Sequence, residues 1–262
     1  MQSTQDSLRP NNPEIVKPYS YGPESALVCA PDSSVAERNL YTDALGRIKV
    51  QFHWDRYGGK NQQSSCWVRC MHPWAGNQLG SHFLPRAGQE VVVDFIGGDP
   101  DLPICLGSVH NQLNLPPWQL SSDQALSGIR SRELTPGSGN SANGRSNHCI
   151  LDDSQEQIQA QLKSDHEHSQ LSLGHITRIE EHEGRTDYRG SGFELRSDGY
   201  GAIRSQQGLL ISTEGRPAAQ GHMLSMAETT ARLRAAQNQH QEQGEIAARY
   251  QAQTTQDQAA VA

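Results

Sequence analysis

The chain has 262 residues, of which only 34% are hydrophobic, and 24 are glycine. A chain this polar can bury one modest core alone, so we expect the remainder to be extended or covered by a partner. Its formal net charge of -7 disfavours a general nucleic-acid-binding protein, which needs clustered Lys and Arg, and no apolar run is long enough to span a bilayer.

Residues 1–23 are polar and punctuated by prolines, which predicts an extended lead-in. They also lack the basic and apolar regions of a signal peptide. Residues 24–111 read as a run of short strands separated by glycine-containing turns. The clearest is Arg47–Trp54, in which apolar and polar residues alternate with a period of two. Five strands of this kind predict a small closed barrel of the OB type.

Residues 112–147 lack any period, and we interpret them as a linker. Residues 148–220 return to strands, but each strand offers few apolar residues. Three seven-residue units open at Gly192, Gly201 and Gly208, which indicates a repeated β-structure. One chain could hardly bury this segment, whereas three chains around an axis could. The predicted inter-chain core consists of Leu171, Leu173, Phe193, Leu195, Ile203, Leu209 and Ile211.

Residues 221–262 turn helical, rich in Gln, Ala, Arg and Glu. The predicted docking face for a partner protein consists of Met223, Met226, Leu233 and Ala247. This face is too sparse for a stable free helix, and methionine adapts well to protein partners. The alternative is that the helix packs against its own assembly.

Histidines and cysteines give weak metal candidates. His166 and His168 would share a face if they lay on a strand, with His175 and His182 nearby, but no fourth ligand follows at a standard spacing. We therefore predict no metal and no cofactor.

Cys66 and Cys70 are separated by three residues rather than the two of a standard zinc motif, so Cys70 is better explained as a free thiol in the barrel core.

Catalysis and nucleic-acid binding are both disfavoured. The neighbouring carboxylates Asp152–Asp153 and Glu180–Glu181 would point to opposite faces of a strand, and no nucleophile, phosphate-binding or zinc-protease motif is present. We predict that the chain is not an enzyme. Phe52 with Trp54, Trp67 and Trp74 could stack on single-stranded nucleic acid, but the acidic charge argues against it.

Ordered sequence blocks identify a family. The chain resembles the VgrG family of type VI secretion system spike proteins from about residue 22 to residue 216. The blocks that carry the resemblance begin at Asp43 (DALGRIKVQFHWDR), Ser65 (SCWVR), Pro73 (PWAG), Pro85 (PRAGQEVVVDF), Gly98 (GDPDLPI), Gly107 (GSVHN), Leu151 (LDD), Gly192 (GFELRSD) and Gly201 (GAIRSQQGLLISTE).

The resemblance implies a mainly β chain: an OB-fold neck, an intertwined trimeric β-helix or β-prism needle, and a helical segment. It implies a homotrimer that carries effectors, with an Hcp tube and a PAAR-type tip cap as partners of the full-length protein. It also implies transient contact with a target membrane. The spike would stay in the bacterial cytoplasm before firing and then be secreted. The alternative functions are a spike with an attached toxin or cell-wall hydrolase, or an OB-fold nucleic-acid-binding module.

Overall fold

The computed structural model describes residues 16–32, 34–137, 139–216, 218 and 220–250. Residues 1–15 of the predicted lead-in and residues 251–262 of the predicted helical segment lie outside the described residues. The chain divides into two units, residues 1–200 and 201–262. The first unit contains two five-stranded sheets, and the second contains a helix.

The first sheet curls into a barrel. Its strands are β1 (Glu24–Cys29), β2 (Lys49–Phe52), β3 (Arg69–Cys70), β6 (Glu90–Phe95) and β7 (Pro103–Ser108). Between β3 and β6, the strands β4 (Ala75–Gly76) and β5 (Leu79–Gly80) form a small separate hairpin. The sheet order is β2-β1-β6-β7-β3. An antiparallel bridge between Ile48 and Val68 joins the residues beside β2 and β3, so the two edges of the sheet meet. A short helix, α1 (Val35–Asn39), follows β1 and is capped by the Ser34 side chain.

An apolar core fills the barrel, as the alternating pattern predicts. The residues buried together there are Ala26, Val28, Ile48, Val50, Val68, Val91, Val93 and Cys105. Phe52, Cys70 and Phe95 pack against this core while staying partly exposed. The predicted strand, however, ends at Phe52, because the Asp55 N–H donates to the Phe52 carbonyl and turns the chain. Trp54 therefore lies outside the core, stacked on Phe52 with ring centroids 5.1 Å apart.

The described part of the lead-in lies against the turn between β6 and β7. The Lys17 ammonium is 2.5 Å from an Asp99 carboxylate oxygen and 3.0 Å from an Asp101 oxygen. The Ser20 N–H donates to the Gly98 carbonyl at 2.9 Å. These contacts fix the direction in which the chain enters β1.

The second sheet is an antiparallel meander. Its strands are β8 (Leu126–Arg130), β9 (Asn147–Asp152), β10 (Gln159–Ser164), β11 (Ser169–Glu180) and β12 (Gly184–Arg196), in the order β12-β11-β10-β9-β8. β8 lies within the predicted linker 112–147. At Gly128 (φ +149°) a Cβ would sit 2.0 Å from the Cys149 carbonyl oxygen, so this strand depends on glycine and on its partner β9.

The second unit contains α2 (Ala227–Arg249), and no strand occurs among its described residues. The units opening at Gly201 and Gly208 are therefore irregular here, because a strand requires a hydrogen-bonding neighbour. The Arg216 guanidinium joins the helix start through Glu228, with Nη2 to Oε2 at 2.5 Å. The prediction of a mainly β chain with a C-terminal helix is confirmed, although α2 begins six residues later than the predicted start at residue 221. Across the described ranges, no helix is long and apolar enough to cross a membrane.

Candidate functional site

Two lines of apolar side chains cross the second sheet on one face. Direct Cα pairing through the five strands aligns the first line, Ile129, Cys149, Leu162, Leu171 and Leu195. The same pairing aligns the second line, Ser127, Leu151, Ala160, Leu173 and Phe193. Alternate residues of a strand share a face, so both lines lie on the same side of the sheet. We call these ten residues, all apolar except Ser127, the apolar rows.

The apolar rows are open to solvent within the chain. Phe193 is 78% exposed, Leu195 66%, Leu173 46% and Leu171 38%. These are the four strand residues that the sequence assigned to an inter-chain core, and the structure brings them together on one face. Exposed apolar area of this continuity typically marks a surface that another molecule covers.

The opposite face of the second sheet is buried and mostly polar. Its alternation is clear in β9, where His148, Ile150 and Asp152 are buried while their neighbours are exposed. A hydrogen-bonded chain runs across the strands on this face. The His148 Nε2–H donates to the Gln161 carbonyl at 2.7 Å, and the Gln161 amide donates to the Ser172 hydroxyl at 2.9 Å. Buried polar groups of this kind are stable because each finds a partner.

Charged groups complete the buried face. The Asp152 side chain is fully buried, and Arg185 Nε lies 2.9 Å from its Oδ2, as an ion pair in which no hydrogen bond joins these two atoms. Arg185 also donates to the Ser154 hydroxyl at 2.9 Å. Burial lowers the pKa of His148, and the positive charges of Lys163 and Arg130 add to that effect. This shift favours the neutral form of His148.

A cleft of about 400 Å³ opens beside this polar face, lined by residues of β10, β11 and β12. Its arginines are matched with carboxylates. Arg178 lies 3.0 Å from Asp187, Arg189 lies 2.6 Å from Glu194, and Arg196 lies 2.7 Å from Asp198. These pairs leave little net charge to attract an ionic ligand.

The structure separates the other sequence candidates. His166 and His168 lie in a tight turn between β10 and β11 and not on a strand, so the expected shared strand face does not exist. Arg145 Nη1 lies 2.8 Å from His166 Nδ1. No group of three or more His, Cys, Asp or Glu side chains that could hold a metal occurs among the described residues.

The aromatic residues proposed as a stacking surface have separate neighbours. Trp67 packs on Tyr41 with ring centroids 5.2 Å apart, and the Lys49 ammonium lies 4.7 Å from the centre of the Trp67 ring. Trp74 belongs to the exposed segment that leads into the β4–β5 hairpin. Trp54 and Trp74 therefore do not contribute to the barrel core.

The predicted docking residues lie in the second unit, around the start of α2 and along it. Met223 and Met226 precede the helix, Leu233 lies in its second turn, and all three are exposed. Ala247 is half-buried near the helix end. The remaining predicted core residues, Ile203, Leu209 and Ile211, are also exposed in this unit.

Two family models match the chain. Residues 33–110 match the type VI secretion system and phage-baseplate injector OB domain, which confirms the predicted OB barrel. Residues 139–247 match the type VI secretion system Rhs element Vgr, and this range includes the second sheet from β9 onward and nearly all of α2.

Known proteins of the same family are similar to this chain in sequence. The chain is 39% identical over 237 residues to the type VI secretion system spike protein VgrG2a of Pseudomonas aeruginosa, covering 90% of the chain and 27% of that protein. It is 42% identical over 114 residues to the actin cross-linking toxin VgrG1 of Vibrio cholerae, covering 44% of the chain and 10% of the toxin. A solved structure of the Tle1 effector bound to the VgrG spike is 26% identical, with a TM-score of 0.35 over 48% of this chain and 34% of that chain.

The chain thus spans about a quarter of the length of the relative VgrG2a. The two family models match first the barrel and then the second sheet, which is the order that the sequence blocks predict. This chain belongs to the VgrG family of type VI secretion system spike proteins.

Proposed function

We propose that this chain forms the neck and part of the needle of a homotrimeric type VI secretion spike. The neck corresponds to residues 24–111 and the needle to residues 148–220 together with β8, which lies within the predicted joining segment 112–147. The single observation that carries the proposal is the pair of apolar rows, which nothing within the described chain covers. The sequence identity to spike proteins supports it.

Burial of the apolar rows explains why the chain needs copies of itself. Apolar area removed from water stabilises by about 25 cal/mol per Å². One sheet face cannot realise this gain alone, whereas three copies placed around an axis can turn their faces inward together. Ile203, Leu209 and Ile211 extend the same inter-chain core once residues 201–216 find strand partners on neighbouring copies.

The assembled spike delivers cargo by attachment. Effector or adaptor proteins bind through Met223, Met226, Leu233 and Ala247, and the chain has no catalytic activity of its own. The full-length protein sits on an Hcp tube and carries a PAAR-type cap. It is assembled in the bacterial cytoplasm and leaves through the secretion apparatus to puncture a target membrane. The name of the actin cross-linking toxin indicates that some family members carry an enzyme in addition.

Assembly is tested by light scattering on the full chain. We expect three times the chain mass of 28.8 kDa. Leu171→Asp and Phe193→Asp place an unpaired carboxylate on the covered face of each copy and should leave monomers. Gln124→Asp adds the same charge at an exposed turn before β8 and should remain trimeric. A folded wild-type monomer, or an unchanged mass for both row variants, would refute the proposal.

Cargo docking is tested by hydrogen exchange on the trimer with and without the effector that is exported with it. We expect protection of 223–249 to rise on binding, because an exposed helix gains order from its partner. Leu233→Asp should abolish that rise, while the exposed helix residue Gln241→Asp should not. Strong protection of this range without any partner would instead favour packing against the trimer.

A further inference from the structure

Cys70 and Cys105 face each other at the point where the barrel closes. They are direct Cα partners in the parallel pair formed by β3 and β7. Residues in register on neighbouring strands place their side chains on the same face of the sheet. Both side chains pack in the barrel core, where Cys105 is buried and Cys70 is half-buried. The two cysteines are therefore neighbours across the two strands, and both thiols are free.

The two neighbouring thiols affect each other's titration. Interaction with Cys105 raises the pKa of Cys70, and interaction with Cys70 lowers the pKa of Cys105. The Cys105 thiol donates to the Gly107 carbonyl at 3.9 Å, and of the two cysteines it is the one that loses its proton more readily. Loss of one proton produces a thiolate on Cys105 that remains beside the Cys70 sulfur.

No other cysteine of the chain has this arrangement. The Cys29 thiol donates to the carbonyl of Leu27 within its own strand, and Cys66 and Cys149 are exposed. The backbone spacing at Cys70 and Cys105 also suits a covalent bond. Neighbouring strands lie about 4.8 Å apart, and disulfides form when the Cα atoms are about 4.4–6.8 Å apart.

A disulfide between Cys70 and Cys105 would strengthen a weak point of the barrel. β3 has only two residues, Arg69 and Cys70, and it joins β7 through just two Cα pairs. The other closing contacts are the Ile48–Val68 bridge and the Met71 N–H, which donates to the Cys105 carbonyl at 2.8 Å. This seam is the shortest strand pairing of the barrel, and a covalent link would lock it.

We propose that Cys70 and Cys105 are an oxidisable pair that forms a disulfide across the β3–β7 seam when the folded chain meets a small-molecule disulfide. The proton of the half-exposed Cys70 passes to the neighbouring Cys105 thiolate as the Cys70 sulfur attacks one sulfur of the oxidant, whose other sulfur leaves as a thiolate. That thiolate takes the proton from Cys105, whose sulfur then attacks the Cys70 sulfur of the mixed disulfide and releases the second thiolate, which takes a proton from water. Two protein thiols are oxidised and one external disulfide is reduced to two thiols.

The chemistry does not depend on assembly, but its timing rests on the proposed function. Thiols stay reduced in the cytosol and oxidise outside it. A spike exported in its folded state would therefore form this disulfide only after it leaves the cell. The link encloses residues 70–105, and a disulfide closing a loop of that size typically stabilises a small domain markedly.

The test exposes the full chain to oxidised glutathione and then alkylates the remaining free thiols. Trypsin places Cys66, Cys70 and Cys105 on separate peptides, residues 61–69, 70–86 and 87–130. We expect a linked peptide joining 70–86 to 87–130, with Cys29 retained as a free thiol. The melting temperature of the barrel should rise by roughly 10 °C relative to the reduced chain.

Cys70→Ser should lose both the linked peptide and the rise in melting temperature, while Cys66→Ser should keep both. Cys105→Ala provides a second variant, in case Cys70→Ser does not fold. Alkylation of both Cys70 and Cys105 after oxidation, or a stable glutathione adduct on Cys70 without the link, would overturn the proposal. Light scattering of the reduced sample reports assembly separately, so failure of the trimer and failure of the disulfide are distinguishable.

Discussion

The two sheets of the first unit place their apolar residues on opposite sides. In the barrel, the apolar side chains of β1, β2 and β6 point inward and are almost completely buried. In the second sheet, the apolar rows point outward, and the buried face carries polar side chains, including Gln159, Gln161 and Ser172. The barrel thus contains its own source of stability, whereas the second sheet keeps much of its apolar area available for another molecule.

Polar contacts and a small apolar cluster, formed by Trp118, Leu126, Ile150 and Ile179, hold the second sheet together within the chain. The Gln159 side chain alone makes three, accepting from the N–H and hydroxyl of Thr177 and donating to its carbonyl. Each neutral hydrogen bond contributes only about 1 kcal/mol net, but an unmade one in a buried site costs about 1–3 kcal/mol. A sheet built in this way is specific in register and modest in stability until its apolar face is covered.

The largest expected effect lies in the polar interior of the second sheet. Arg185→Ala removes the cation beside the buried Asp152 carboxylate and should destabilise this sheet by about 3–5 kcal/mol. Local hydrogen exchange in β9 and β12 should rise, while exchange in the barrel stays constant. The control is Arg178→Ala, because Arg178 pairs with exposed carboxylates. Equal loss of protection in both variants would contradict this account.

Apolar truncation should affect the two regions differently. Ile48→Ala removes a fully buried side chain from the barrel and should cost about 2–5 kcal/mol in urea unfolding of that region. Leu195→Ala removes an exposed side chain from the apolar rows and should cost under about 1 kcal/mol in the isolated chain. In the assembled protein, Leu195→Ala should instead shift the concentration at which the oligomer dissociates. Similar costs for both variants in the isolated chain would show that the two faces do not differ.

The sequence predicts the barrel well because alternation and burial coincide there. In the second sheet, alternation reveals two faces but not which of them the chain covers. Residues 149–151 are Cys, Ile and Leu. Because the buried Ile150 is apolar like its exposed neighbours, the sequence shows no alternation here and does not predict Cys149 and Leu151 as members of the apolar rows. β8 escaped prediction because five residues around Gly128 carry too little pattern. Local periodicity does not reveal a tight turn, so the sequence could not show that His166 and His168 lie outside a strand.

The smallest expected effect is a pH dependence that should appear in the second sheet and not in the barrel. Burial lowers the pKa of His148, and the side-chain hydrogen bond with Gln161 partly opposes this shift. The charges of Lys163 and Arg130 lower the pKa further, and the charge of Asp165 raises it. The unfolded chain binds a proton near the ordinary histidine pKa of about 6.5, and the folded chain binds it only at lower pH. Full stability is therefore present above pH ~6.5 and declines as the pH falls below it, by at most about 1.4 kcal/mol per unit.

His148→Gln should remove that dependence, since glutamine can still donate to Gln161 but does not titrate. We expect wild-type protection in β9 and β10 to fall between pH 7.5 and 5.5, and the variant to change less. Replacing the exposed His110 by Gln gives the matched control, which should behave like the wild type. An equal pH response in wild type and His148→Gln would mean that another group governs the acid sensitivity of this sheet. A response located in the barrel would mean that the polar interior of the second sheet is not the pH-sensitive region.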